Sequence, residues 1–100
     1  MTFTDYVSYA SGVTASSSGN SLYKMGNLIL LNMTFKSPSS GTFLDVATLD
    51  NSIKPRANLN IMAYDWTDNK AVGAATVGTS VRLYGVASGH DYSFNITYPV

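Results

Sequence analysis

The chain of 100 residues contains no cysteine, no glutamate and no glutamine, and it has little charge of either sign. Without cysteine it can form neither a disulfide bond nor a thiolate metal site. Six basic residues balance six acidic ones, so the net charge is zero. A protein that neutralises a run of nucleic-acid phosphates carries a clear excess of lysine and arginine. The composition therefore argues against nucleic acid as a partner.

Long hydrophobic runs are absent as well. The longest aliphatic run is Leu28–Leu31, whereas a membrane-spanning helix needs roughly 20 apolar residues. The first ten residues, MTFTDYVSYA, lack both the basic region and the apolar region of a secretion signal. We therefore expect no membrane partner, and no export signal is visible in the sequence.

The residues that are abundant favour β structure. Thr, Val and Tyr are typical of strands, while Ser, Asn and Gly are typical of turns. Short alternating segments separated by such turns predict one all-β domain over residues 1–100, with seven to eight antiparallel strands. This pattern is shared by β-sandwiches, jelly rolls and small barrels, so it does not choose between them.

Alternation and turn residues place the individual strands. A first strand is predicted over Phe3–Tyr9, followed by a polar loop. Gly26 and Asn27 predict a type II′ turn, because glycine readily takes the positive φ of the first position. The turn joins the two strands of a hairpin over 22–36. Further strands are predicted over 42–49, 59–66, 70–77, 81–87 and 91–98.

The second strand of this hairpin has apolar residues on both faces, and the core can bury only one of them. Ile29, Leu31, Met33 and Phe35 form an apolar face that belongs in the core. The opposite face begins with Leu28 and Leu30 and ends in polar residues. Its apolar half needs cover, which a second sheet or a neighbouring subunit would supply.

Catalytic and metal-binding patterns are weak. His90 is the only histidine and precedes Asp91, but adjacent residues on a strand point to opposite faces, so this pair is poorly placed to activate a serine. One histidine, no cysteine and no dense acidic loop predict no metal site. We expect neither a cofactor nor enzymatic activity.

The only tryptophan, Trp66, lies in the unusual context IMAYDWTDNKAV. In one interpretation Trp66 packs against the sheet and Asp68 sets the following turn through its side chain. In the other, an aromatic ring and neighbouring oxygen acceptors bind the apolar face and the hydroxyl rim of a sugar. The candidate saccharide-binding residues are Trp66, Asp65, Asp68, Arg82, Tyr84, His90 and Asp91.

Three segments resemble the C-terminal head domains of phage tail-fibre and baseplate receptor-binding proteins, especially those of phages that infect lactococci. They are LYKMGNLILLNMTFKS, ATLDNSIKPRANLNIMAYD and TSVRLYGVASGHDYSFNITYPV, and the resemblance covers roughly residues 23–100. It rests on hydrophobic and turn positions. Sites in such heads combine tryptophan with histidine, aspartate and arginine, and this chain contains all four residue types.

The resemblance implies a homotrimer of Greek-key or jelly-roll β-barrels at the tail tip of a virion, joined to the rest of the baseplate. Its expected partner is a saccharide or glycerol-phosphate group of a Gram-positive cell wall, bound near a subunit interface. Two alternatives remain open: a structural trimerisation cap that binds nothing, and a glycan-degrading module.

Overall fold

A computed structural model describes all 100 residues and consists mainly of antiparallel strands. A single helical turn, α1, covers Phe3–Tyr6, and a 3-10 turn covers Asn51–Ile53. The nine strands are β1 Val7–Tyr9, β2 Thr14–Ala15, β3 Ser21–Met25, β4 Leu28–Lys36, β5 Gly41–Leu49, β6 Asn60–Asp65, β7 Lys70–Val77, β8 Ser80–Val86 and β9 Asp91–Pro99.

The strands form one sheet that curls into a nearly closed barrel. Their order is β1-β5-β8-β7-β6-β9-β4-β2, with β3 also paired to β4. β6, β7 and β8 follow one another as hairpins, and β9 returns to lie beside β6. The spatial order β9-β6-β7-β8 is that of a Greek key. The all-β prediction is therefore confirmed, and the structure is a barrel.

The N-terminal segment closes most of the gap between the two sheet edges. β1 pairs with β5 at one edge, and β2 pairs with β4 at the other. Between β2 and β3, the side chain of Asn20 makes hydrogen bonds to β4 that a neighbouring strand would otherwise make. It accepts from the Thr34 amide at 3.0 Å and donates to the Thr34 carbonyl at 3.0 Å. These bonds satisfy a stretch of β4 that no strand covers.

Alternate residues of the long strands fill the barrel. The predicted inward residues of β4 are all buried, as is the set Tyr92, Phe94, Ile96 and Tyr98 on β9. Two buried tyrosines keep hydrogen bonds inside the core. Tyr98 donates to the Ile53 carbonyl at 2.6 Å, and the Ala87 amide donates to the Tyr92 hydroxyl at 2.8 Å. The core thus accepts large polar-tipped rings without leaving their hydroxyls unpaired.

The N-terminal prediction was partly wrong. Residues Phe3–Tyr6 form the helical turn α1, and only Val7–Tyr9 is a strand. The helical turn lets both Phe3 and Tyr6 pack against the core, which strict alternation would not allow. β2 lies inside the segment predicted as a polar loop. Its two side chains are exposed, so it has no hydrophobic alternation by which the sequence could reveal it.

In two turns, the residue type matches the backbone conformation that the turn requires. Gly26 has φ of 62° and Asn27 has no positive φ, as the predicted type II′ turn requires. Asn69 is the only non-glycine residue with positive φ, at 54°. Asparagine tolerates this conformation better than most residues, and it ends the turn between β6 and β7. None of the helices has the length and apolar character needed to cross a membrane.

Candidate functional site

A buried aspartate organises the turn between β6 and β7. Asp65 is the last residue of β6 and its side chain points into the end of the barrel, where only 1% is exposed. Its Oδ1 accepts from the amides of Thr67 at 2.9 Å and Asp68 at 3.0 Å. This is an Asx-type turn set by Asp65. The interpretation that Asp68 sets the turn was therefore wrong, because the acceptor lies at the start of the turn.

The Greek key brings His90 to this aspartate. His90 immediately precedes β9, and β9 pairs with β6, so residues 25 positions apart in sequence meet at one end of the barrel. His90 Nδ1 lies 2.8 Å from Asp65 Oδ2 and 3.9 Å from Asp68 Oδ2. Because a carboxylate can only accept, Nδ1 carries the hydrogen. In the neutral ring, Nε2 is then left as an acceptor for a ligand hydroxyl.

Hydrogen bonds hold Asp65 in its charged form. Burial pushes the pKa of Asp65 upward, but the bonds from His90 and from the Asp68 and Thr67 amides outweigh it, and the net pKa lies below the ordinary value. A glycosidase general acid requires the opposite, a carboxyl group whose pKa is raised. Asp65 is therefore unsuited to donate a proton in glycoside hydrolysis.

Trp66 is exposed but rigidly held. Its side chain is on the outer surface with 58% of the residue accessible. Its indole Nε1 donates to Ser93 Oγ at 2.7 Å, and its backbone amide donates to the Asp91 carbonyl at 2.9 Å. The ring of Tyr64 meets the indole edge to face at 4.6 Å. Trp66 is thus no part of the core, and its ring is fixed in position before any ligand arrives.

A shallow trough lies beside the indole. It has a volume of about 400 Å³, and its main lining residues are Met62, Tyr64, Trp66, Ser93 and Asn95. The β6 residues supply apolar and aromatic surface, and the β9 residues supply a hydroxyl and an amide. This combination suits a ligand that has both an apolar face and a hydroxyl rim.

Asp91 belongs to the same end of the barrel mainly through its backbone. Its amide donates to Thr67 Oγ1 at 3.0 Å, and its carbonyl accepts from the Trp66 amide. These two bonds tie the β6–β7 turn to the start of β9. Strand alternation places the Asp91 side chain on the outer face together with Ser93, on the opposite side from the neighbouring residue Tyr92.

Arg82 lies apart from this cluster. It pairs with Ala75, which pairs with Asn60 at the far end of β6. Its guanidinium bonds Asp45 at 2.8 and 3.3 Å. The bond to Asp45 raises the Arg82 pKa above its ordinary value. The guanidinium also lies 4.4 Å from the centre of the Phe43 ring and is thus already partnered.

Tyr84 also lies apart from Trp66, although on the same outer face. It contacts Gly73 on β7, and Gly73 pairs with Met62 on β6. Trp66 is four positions beyond Met62, which is about 13 Å along the strand direction. Of the seven predicted site residues, the structure thus brings five together and leaves Arg82 and Tyr84 elsewhere.

Asp65, Asp68 and His90 also form a group of metal-ligand type that the sequence did not reveal. One potential ligand atom from each lies within 4.8 Å of the others. However, both Asp65 oxygens accept hydrogen bonds and His90 Nδ1 donates one. A cation held by one atom of each residue would compete with the hydrogen bond between His90 and Asp65.

Sequence reasoning missed three residues that shape the site: Tyr64, Thr67 and Ser93. Tyr64 has the same strand face as Trp66, which the alternation of β6 could have indicated. Ser93 and Thr67 have no local signal, because their roles depend on which strands are neighbours.

No protein-family model matches the chain, and a search of curated proteins finds no match either.

Proposed function

We propose that this chain is a receptor-binding domain that attaches a phage to saccharide or glycerol-phosphate groups of a Gram-positive host cell wall. It acts at the tail tip as a binding module without enzymatic activity. The proposal combines the resemblance to phage head domains with the arrangement around Trp66. The observation that carries it is an exposed indole that is held by Ser93 and Tyr64 beside a trough whose wall also offers a hydroxyl and an amide.

A fixed, exposed indole is expected to serve binding because exposing it has a cost. A large aromatic side chain is favoured in the core, yet here most of Trp66 faces solvent. Its hydrogen bond and its contact with Tyr64 restrict the ring in the free protein. Less conformational entropy is then lost when a ligand stacks on it, which increases affinity.

The charge around the indole favours hydroxyl groups as the recognised chemistry. Asp68 is an exposed carboxylate in the turn that follows Trp66, and Lys70 lies 3.8 Å from it in an exposed pair. Carboxylates accept hydrogen bonds from hydroxyls, whereas they repel phosphate. Within the proposed ligand class, a neutral sugar therefore fits this end of the barrel better than a glycerol-phosphate unit.

Intrinsic fluorescence provides the direct test, since Trp66 is the only tryptophan. Purified wall polysaccharides from a panel of Gram-positive strains are titrated, with glycerol phosphate as a small probe. We expect a saturable emission shift with the polysaccharide of one host and a dissociation constant in roughly the millimolar to micromolar range per site. Several sites in an oligomer would raise the avidity.

The control for this titration is quenching by acrylamide. Trp66 must be accessible to the quencher in the free protein and protected by the ligand. Lys54→Ala, at an exposed residue far in sequence from Trp66 and outside the β3–β4 hairpin, serves as a control variant and should bind normally. If every wall polysaccharide leaves both emission and quenching unchanged, the proposed function is wrong.

A structural trimerisation cap is the second candidate, and one observation favours it. Tyr23, Met25 and Leu28 form an exposed apolar patch on the β3–β4 hairpin, which we call the hairpin patch. Such a patch is typical of a surface that another subunit covers. Sedimentation would show a stable trimer under both proposals, but only the receptor-binding proposal expects the Trp66 emission to respond to a polysaccharide.

A further inference from the structure

We propose that Tyr84 is a second aromatic platform, and that the ligand is an uncharged saccharide chain long enough to contact both Tyr84 and Trp66. This inference rests on the proposed function and specifies its ligand. The ligand is then a chain of several linked sugar units. A site at Trp66 alone would bind a single unit.

Tyr84 is well placed to present a ring. It is 41% exposed on the outer face of β8, where Phe43 of β5 is its paired neighbour. On its other side lies Gly73 of β7, where an added Cβ would stand 3.6 Å from Tyr84 Cδ2. The Tyr84 ring therefore lies close to the backbone of β7 and still faces solvent.

The separation of the two rings sets the size of the ligand. Tyr84 lies two strands from β6, or about 10 Å across the sheet, and about 13 Å along it from Trp66. A single sugar ring cannot contact both residues, but a short chain can. The strand between them, β7, has only small outward residues at this level, Ala71 and Gly73, so nothing bulky on β7 obstructs the path.

Charge indicates which chain fits. The outward residues between the rings are Met62, Tyr64, Ala71 and Gly73, and none is charged. Arg82, the cation nearest to Tyr84 on β8, already bonds Asp45 in a two-point ion pair. With no charge between the rings and the nearest cation on β8 already paired, this surface is complementary to a neutral, hydroxyl-rich chain rather than to a repeating phosphate.

Calorimetry on three proteins tests the inference: the unaltered chain, Tyr84→Ala and Tyr84→Phe. The probes are oligosaccharides released from the wall polysaccharide that shifts Trp66 emission, separated into single sugars and longer chains, and poly(glycerol phosphate). Lys54→Ala, at an exposed residue outside both the path and the hairpin patch, is the control for a surface truncation. Circular dichroism checks that each variant remains folded.

We expect Tyr84→Ala to weaken binding of the longer chains by about five- to tenfold, the range for loss of an aromatic contact. Binding of single sugars should be unchanged, and Tyr84→Phe should behave like the unaltered chain. A second measurement uses the double variant Trp66→Phe/Tyr84→Trp, in which the only tryptophan is at position 84. Its emission should shift with long chains and not with single sugars.

Three results would overturn the inference. One is equal binding of long chains by the unaltered chain and Tyr84→Ala. Another is a Tyr84-dependent affinity for poly(glycerol phosphate). A third is loss of self-association in Tyr84→Ala with unchanged sugar binding, which would make this surface a contact between copies. In each case the Trp66 emission still responds to the polysaccharide, so the proposed function is tested separately.

Discussion

Large apolar side chains are exposed in two regions of this barrel, and their surroundings differ. At one end, Trp66 is held by a hydrogen bond to Ser93 and directly follows Asp65, which bonds His90 inside the end of the barrel. In the hairpin patch, by contrast, the ring of Tyr23 and the side chains of Met25 and Leu28 make no hydrogen bonds, and the neighbouring Leu30 is also partly exposed.

The difference between the regions indicates two kinds of partner. An aromatic ring framed by fixed donors and acceptors suits a small hydroxylated ligand, whose polar groups need partners at defined positions. An apolar patch with no polar frame suits another protein surface, because burial of area alone stabilises the contact. We therefore expect the hairpin patch to mediate assembly and the Trp66 end to mediate ligand binding.

The largest effect is expected in the hairpin patch. Replacing Met25 and Leu28 together by serine should shift the proposed trimer to monomers, because each side chain of this size contributes about 1.5–3 kcal/mol when it is buried. Sedimentation equilibrium measures the change. Emission of Trp66 should still respond to the ligand. A double variant that stays trimeric would show that the patch is not the assembly surface.

The next largest effect is expected in the other region, for Trp66→Ala. Removal of a central aromatic contact should cost about 2 kcal/mol or more of binding free energy, roughly 30-fold in affinity. The melting temperature should change little, because the ring lies on the outer surface. Calorimetry measures the affinity, and Trp66→Phe is the control that keeps a ring. Equal affinities of the unaltered chain and Trp66→Ala would remove this residue from the site.

Asp65→Asn should destabilise the protein by about 1–3 kcal/mol, the cost of disturbing buried hydrogen bonds. The pKa of Asp65 is lowered in the folded state, so its carboxylate stabilises the fold above the unfolded pKa of about 3.9, and this contribution is lost as the pH falls through the folded pKa. Urea unfolding between pH 3 and 6 should show a weaker pH dependence in the variant, with Asp5→Asn as control.

Ser93→Ala tests how the indole is positioned, because it leaves the ring itself in place. The loss of one hydrogen bond should cost about 1 kcal/mol and free the ring to move. Time-resolved fluorescence anisotropy should decay faster for Trp66, and the affinity should fall a few-fold. Unchanged anisotropy would mean that Tyr64 alone fixes the indole, and that Ser93 is not needed for positioning.

The smallest effect is expected for Lys70→Ala. The Lys70–Asp68 pair is exposed, and such pairs contribute about 0–1 kcal/mol and are screened by salt. Binding and stability should both change by less than a factor of about five in equilibrium constant. A larger loss of affinity would show that Lys70 contacts the ligand directly.

Strand alternation allowed most of the barrel to be predicted from the sequence. The inward faces of β4, β6 and β9 follow directly from their period-two hydrophobic pattern. Short-range turn chemistry placed the Gly26–Asn27 hairpin. β2 escaped prediction because it has only two residues, both exposed, and α1 escaped because the alternation of Phe3–Tyr9 reads equally well as a strand.

The site could be predicted only in part, because its contacts are long-range. The sequence placed Asp65, Trp66 and Asp68 together since they are adjacent. His90 and Asp91 could be associated only as neighbours in the sequence. The bond between His90 and Asp65 could not be predicted, because it depends on β9 returning to β6. Strand order, which the alternation pattern does not encode, also decides that Arg82 bonds Asp45.

The Greek-key return of β9 has a consequence for folding kinetics. The hydrogen bond from Trp66 to Ser93 can form only after β9 has docked against β6, and this docking closes a loop that contains β7 and β8. Contacts of such sequence separation tend to form late, because loop-closure entropy must first be overcome. We therefore expect the fluorescence of the single indole to report one of the last steps of refolding, and the ligand site to mature only as the barrel is completed.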